Sequence, residues 1–163
     1  DNSYNEQPAA ATCLYAIEVP EHGQGDTFFL DANAVWRALQ LETQQVLEQA
    51  KGAHCHPSRA GKTESAIHSA VKEHPQSKLP CLYINPSYTH ALFTGNGSQL
   101  ALHEMLEECF AGRRAHQLTW DPGLFVVWDN TRVLHRASTR DMAPELQRAM
   151  FRASIQCTAA TSE

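Results

Sequence analysis

From Ala115 onward the chain is a succession of short β-type runs joined by turn residues: "AHQLTW", the turn "DPG", "LFVVWD", the turn "NT", "VLHRAS" and "QRAMFRASIQC". Four strands with links this short define a β-rich sandwich or barrel, with the helical segments upstream inserted on one side. The feature is sharpest at residues 124–138, where Leu124, Phe125, Val126, Val127 and Trp128 run into a tight polar turn and the chain returns to present His135.

Upstream, "TCLYAIEV" mixes β-branched, aromatic and aliphatic residues and stops at Pro20, and "TFFL" resumes as a second strand. Asp31 reads as the cap of a helix over "ANAVWRAL", and a second helix is expected from Glu42 to Lys51, ended by Gly52. Residues 53–78 hold no sustained period and read as a long excursion with one helix near "ESAIHSAVKE". "LPCLYIN" reads as a strand. "QLALHEMLEECFAG" reads as a helix capped by Ser98, with Leu102, Met105, Leu106, Cys109 and Phe110 on one face and Gly112 as its stop.

The 163 residues fit one domain, expected over 1–163. Thirteen Lys and Arg against 18 Asp and Glu leave a net charge of -5, without the basic footprint of a nucleic-acid partner, so a small-molecule substrate is expected. No stretch approaches the roughly 20 apolar residues of a membrane helix, and no leader-like segment opens the sequence. Five widely spaced cysteines without a C-x-x-C pair read as free thiols in a reducing compartment, the cytoplasm. Asn96-Gly97-Ser98 reads as an Asn-Gly turn rather than a glycan site. The sequence opens on Asp1 rather than methionine, which reads as a processed or truncated product.

A lone histidine in a strand is more often structural than a ligand, but two arginines downstream alter the reading of His135. Arg148 and Arg152 lie four apart in an expected strand, which places both on one face, about 13 Å apart. The alternate residues Ala149, Phe151 and Ala153 are apolar, so the strand is expected to be covered on both faces. Buried guanidinium groups pair with carboxylate, phosphate or sulfonate.

With these residues in view, "TWDPGLFVVWDNTRVLHRAS" followed by "RAMFRASI" resembles the C-terminal signature of the TauD/TfdA family of Fe(II)- and 2-oxoglutarate-dependent dioxygenases. "DNSY" at 1–4 is similar to the end of the family's H-x-D-x-S-[FY] metal motif, "GDTFF" at 25–29 to its G-G-D-T segment, and "LYINPSYT" at 82–89 to its central strand. The resemblance implies a double-stranded β-helix, or jelly roll, mainly β with inserted helices and with its N-terminal portion missing. It implies a metal site of two histidines and one carboxylate, in which Asp1 is the carboxylate and His135 the distal histidine, both catalytic. The first histidine would lie two residues before Asp1. Three protein ligands on one face leave room for a bidentate 2-oxo acid and dioxygen. The resemblance further implies that Arg148 and Thr27 hold 2-oxoglutarate and that Arg152 meets an acidic group of the substrate. Asn2 and Tyr4, which flank the metal carboxylate, and Tyr88 are expected in the pocket wall.

Two other motifs were weighed. His54, Cys55 and His56 resemble zinc ligands, but neighbours in an extended chain point opposite ways and no partner cluster follows. "GKT" at 61–63 lacks the leading glycine of a phosphate loop. His22, His68, His74, His90, His103 and His116 read as exposed or loop residues, and Trp120 and Trp128 as core. The expected function is therefore oxidation of a small anionic molecule (a sulfonate, carboxylate or amino-acid derivative) with release of succinate and carbon dioxide. The rival is a truncated or degenerate jelly-roll module that binds anions without a catalytic metal. Self-association into a homo-oligomer is compatible with either.

Overall fold

The computed structural model describes residues 2–20, 24–56, 66–139 and 142–156. In chain order the elements are β1 (Ala11–Glu18), β2 (Thr27–Asp31), α1 (Ala32–Arg37), α2 (Leu41–Glu48), β3 (Lys51–His54), β4 (Ala66–Ser69) and β5 (Val71–Glu73). They continue with β6 (Pro80–Leu82), β7 (Thr89–Phe93), α3 (Leu102–Phe110), β8 (His116–Leu118), β9 (Phe125–Asp129), β10 (Val133–Ala137) and β11 (Ala149–Ile155). Two compact units result: one groups Asp1, Ala9–Leu30 and Ala115–Glu163, the other Asn2–Pro8 and Asp31–Arg114.

The first unit carries two three-stranded sheets, in the orders β11-β1-β9 and β10-β2-β8. β1 is central to its sheet and antiparallel to both neighbours, so that Leu14 stands opposite Arg152 on one side and Val126 on the other. Side chains alternate across the sheet. Thr12 and Ala16 are buried on the inner face with Trp128, while Tyr15, Phe125 and Phe151 form an outer row in register. The inner face meets the second sheet through Trp128, whose ring lies 5.4 Å from that of Phe29 on β2 and 4.8 Å from that of His135 on β10.

The turn from β9 to β10 is built by Asn130. Its Nδ2 donates to the Ala9 carbonyl at 3.1 Å and to Thr12 Oγ1 at 2.9 Å, and its backbone N–H donates to the Ala10 carbonyl at 2.8 Å. Asp129 caps the same turn by accepting the Thr131 N–H and hydroxyl. This is why an apolar strand reverses here and returns with His135.

The second unit places β3 between β4 and β7, with β5 and β6 as a separate antiparallel pair. Asp31 caps α1 as expected, its Oδ1 accepting from the Asn33 and Ala34 amides. Asn33 Nδ2 then reaches the Pro80 carbonyl at 2.7 Å, joining α1 to β6. Buried Val35, Trp36, Leu47, Leu82, Ile84 and Leu92 are core residues of this unit.

Several local expectations are corrected. The helix near "ESAIHSAVKE" is not formed: Ala66–Ser69 and Val71–Glu73 are strands, because the alternation of buried and exposed side chains lets Ala66 and His68 pack inward while β4 pairs with β3. Lys51 and Gly52 open β3 rather than closing α2, which ends at Glu48. α3 begins at Leu102 after Ala101, not at a Ser98 cap; Ser98 N–H instead meets Thr94 Oγ1 in the Asn96-Gly97 turn, where Gly97 takes φ 86°. Phe151 is 69% exposed and Arg152 is exposed, so β11 is not covered on both faces. Among the described residues β11 is an edge strand, with its phenylalanine on the outer row.

Asn130→Ala removes two side-chain hydrogen bonds inside the fold, those to the Ala9 carbonyl and the Thr12 hydroxyl. It is expected to lower stability by about 1–3 kcal/mol, read as a drop in urea midpoint at unchanged m-value.

Candidate functional site

Thr27, the first residue of β2, is buried and accepts the indole N–H of Trp120 at 2.9 Å. That leaves its own hydroxyl proton to be donated. The Arg148 guanidinium carbon lies 5.7 Å from the centroid of the same indole, within cation–π range. One tryptophan thus brings together the two residues expected to hold 2-oxoglutarate, 121 positions apart in sequence.

Arg148 Nε and Nη2 are buried and have no hydrogen-bond partner among the described residues, and burial lowers the guanidinium pKa from its ordinary value. Gly25, at φ 74°, is what lets this side chain pass: a Cβ there would stand 3.0 Å from Arg148 Cδ and 3.1 Å from Met142 Sδ. The adjoining Asp26 fixes the turn, its Oδ2 accepting from Gln117 Nε2 at 2.6 Å and from the Thr119 hydroxyl at 3.2 Å. Its carbonyl accepts the Ser138 amide at 2.8 Å, just beyond β10.

His135 projects from β10 against Trp128 and Phe29. Burial, reinforced by the charge of Arg152, lowers its pKa to about 4. Near neutral pH its imidazole is therefore uncharged, the form in which histidine ligates a metal. Arg152 lies in β11 opposite Leu14. Arg148 sits one residue before β11, beside the register shift between Ala16 and Glu18 of β1.

Asp1 lies outside the described residues, as do His22, Cys157 and the "GKT" segment. Asn2 and Tyr4 belong to the second unit, where Tyr4 donates its hydroxyl to Asn2 Oδ1 at 2.9 Å. The Tyr4 ring meets His56 and Tyr88 edge-on, with centroids 5.1 and 5.4 Å away. Of this aromatic group, Tyr4 lies three residues after the expected metal carboxylate in sequence. Among the described residues, no group of three or more His, Cys, Asp or Glu side chains is arranged to hold a metal ion.

The residues missed by sequence reasoning are His54, His68, His74 and Lys72. His68 and His74 are buried rather than exposed, and His54 is fully enclosed. His54 Nδ1 meets Ser3 Oγ at 3.0 Å, while His68 Nε2 reaches the carbonyls of Ser3 and Asn5. His74 Nδ1 accepts the Ser77 amide at 3.0 Å, closing the link between β5 and β6. The available signal was the alternation in "AIHS", which puts His68 on the face of Ala66.

The sequence matches the model of the family described as "Taurine catabolism dioxygenase TauD, TfdA family" over residues 1–154. The chain belongs to this family. An alpha-ketoglutarate-dependent 2,4-dichlorophenoxyacetate dioxygenase of Cupriavidus pinatubonensis is 31% identical over 91% of this chain and 57% of its own length. An alpha-ketoglutarate-dependent sulfonate dioxygenase of Saccharomyces cerevisiae is 28% identical over 96% of this chain and 41% of its own. Among solved structures, AAD-2 in complex with Mn(II) and N-oxalylglycine superposes with a TM-score of 0.79 at 25% identity, covering 100% of this chain and 69% of that one. A taurine dioxygenase from Burkholderia xenovorans superposes with a TM-score of 0.78 at 23% identity, over 94% of this chain and 54% of that one. The paired sheets are thus those of the jelly roll, and the chain spans about two to three fifths of the length of these curated relatives.

His54 gives a pH dependence. Burial first, then the charges of His68, Lys72 and His90, lowers its pKa from 6.5 to about 3. Between those values the unfolded chain binds a proton that the folded one refuses, so stability is full above about pH 6.5 and falls on acidification. His54 is expected to contribute a loss of about 2 kcal/mol between pH 7 and pH 5. Urea midpoints across that range should fall less steeply in His54→Gln than in the unaltered protein.

Proposed function

We propose that the protein carrying this chain is an Fe(II)- and 2-oxoglutarate-dependent dioxygenase. It would hydroxylate or oxidatively cleave a small anionic molecule (a sulfonate, carboxylate or amino-acid derivative) and release succinate and carbon dioxide. The observation that carries the reading is Arg148: a buried cation with two unmatched N–H donors, sharing the Trp120 indole with a hydroxyl that has a proton to give. A buried guanidinium left in that state is unfavourable, and a carboxylate that accepts both donors relieves it. The far carboxylate of 2-oxoglutarate fits that donor set.

In this reading Asp1 and His135 are metal ligands, with a further histidine supplied from two residues before Asp1. The neutral His135 imidazole matches the requirement for a free ring-nitrogen lone pair. When bound, iron with 2-oxoglutarate supplies the oxidation by dioxygen. Arg148 and Thr27 orient the cosubstrate, and Trp128 and Phe29 shield His135 from water. Arg152, whose charge already acts on His135, offers a cation for an acidic substrate, with Asn2 and Tyr4 as further substrate contacts. Relatives named for a sulfonate and for 2,4-dichlorophenoxyacetate support an anionic substrate class. The free thiols of Cys13, Cys55, Cys81 and Cys109 accord with a cytoplasmic setting.

The test is an anaerobic titration with Fe(II) and 2-oxoglutarate, following the visible absorption of the iron chelate. Arg148→Ala is expected to weaken 2-oxoglutarate binding on the order of 100-fold while leaving Fe(II) affinity nearly unchanged. His135→Ala is expected to abolish the band and turnover. Unchanged cosubstrate affinity without Arg148, or full turnover without His135, would remove each from its role.

A further inference from the structure

The first unit buries two indoles, and only one of them has an acceptor. Trp120, 3% exposed, donates to Thr27 Oγ1 at 2.9 Å, whereas the Nε1–H of Trp128, 6% exposed, is buried with no hydrogen-bond partner among the described residues. A buried donor in that state is unfavourable, and an incoming acceptor relieves it. Packing alone has no need of the nitrogen. The ring of Trp128 meets Phe29 with centroids 5.4 Å apart and His135 with centroids 4.8 Å apart, contacts that a phenyl ring also makes.

β2 relates this donor to the Arg148 site. Thr27 and Phe29 are two residues apart on one strand, so their side chains leave the same face, about 7 Å apart along it. Thr27 holds the Trp120 indole, over which Arg148 lies, and Phe29 meets the indole of Trp128. The intervening Phe28 takes the opposite face, where its ring centroid lies 5.2 Å from the Arg136 guanidinium carbon. One face of β2 is thus served by donors at two places: Arg148 Nε and Nη2 with the Thr27 hydroxyl at the first, Trp128 Nε1 at the second. A single carboxylate fills only the first. With carbon–carbon bonds of about 1.5 Å, an extended five-carbon chain sets its carboxyl carbons about 5 Å apart and its outermost oxygens about 7 Å apart, which matches the separation along β2.

We propose that Trp128 is a second binding residue for the dicarboxylate: its indole N–H donates to an oxygen at the end of 2-oxoglutarate opposite the carboxylate held by Arg148 and Thr27. This role extends the reading of Arg148 as the cosubstrate's anchor and rests on it. Two anchors at a fixed separation select a ligand for length as well as for charge.

The experiment compares two five-carbon acids on the full-length protein, with and without Fe(II): glutarate, which has a carboxylate at both ends, and pentanoate, which has one. Affinities for these and for 2-oxoglutarate are read by anaerobic titration calorimetry in the unaltered protein, Trp128→Phe and Arg148→Ala. Trp128→Phe keeps a ring against Phe29 and His135 but removes the N–H. It is expected to weaken glutarate and 2-oxoglutarate about tenfold and pentanoate by less than about twofold. Equal losses for glutarate and pentanoate would assign Trp128 to packing alone, and unaltered glutarate affinity in the folded variant would detach it from the ligand; either result overturns the proposal. Should Trp128→Phe not fold, the indole N–H resonance of Trp128 in the unaltered protein decides. A shift with glutarate and none with pentanoate supports the role, whereas the same response to both, or none to either, overturns it. Arg148→Ala separates this role from the reading beneath it. Weakened binding of both acids in Arg148→Ala with none in Trp128→Phe overturns the Trp128 role alone. Glutarate affinity unaltered by Arg148→Ala, or an unaltered protein that binds neither glutarate nor 2-oxoglutarate under either condition, overturns the cosubstrate reading and this role with it.

Discussion

β1 is paired along both edges, with residues 11–15 opposite 129–125 on one side and 155–151 on the other. Arg152 takes its place from that double pairing. The pairing draws together segments more than 100 residues apart in sequence, and the entropy of closing so long a loop is recovered only when both neighbours are in register. Once β9 is docked, the Asn130 turn brings β10 back beside β2 and presents His135 to Trp128. Once β11 is docked, Arg148 enters just ahead of it, into the space that Gly25 leaves open.

The electrostatic character of the two units differs in a way that fits different tasks. The first gathers a buried guanidinium with open donors, a neutral imidazole and a second arginine, while the Asp26 carboxylate accepts from the uncharged groups of Gln117 and Thr119. Such a site favours an incoming anion. In the second unit the buried histidines are turned toward main-chain and hydroxyl oxygens and hold a strained turn. Arg148 Nε and Nη2 are unmatched among the described residues, whereas His68 Nε2 is matched by two main-chain carbonyls.

Much of this was legible because it is local. Alternation in "TCLYAIEV" and "LFVVWD", the Asp31 cap and the Asn96-Gly97 turn are decided by residues within a few positions of one another, and each formed as read. Where local preference was weak, tertiary pairing prevailed. "ESAIHSAVKE" carries helix-forming alanines and glutamates, but Ile67 and Val71 suit a strand and β3 offers an edge, so β4 and β5 form instead.

By itself, the sequence determined the family and the strand-rich last third, because motifs and alternation are properties of neighbouring positions. Only the tertiary structure decided that Trp120 joins Thr27 to Arg148, that Arg148 Nε and Nη2 are buried without a partner among the described residues, and that His68, with Lys72 at its Nδ1, meets the carbonyls of Ser3 and Asn5. Each of these depends on which distant strands share an edge and which face a side chain takes. A periodicity read along the chain carries neither quantity, since both are settled by long-range pairing and burial.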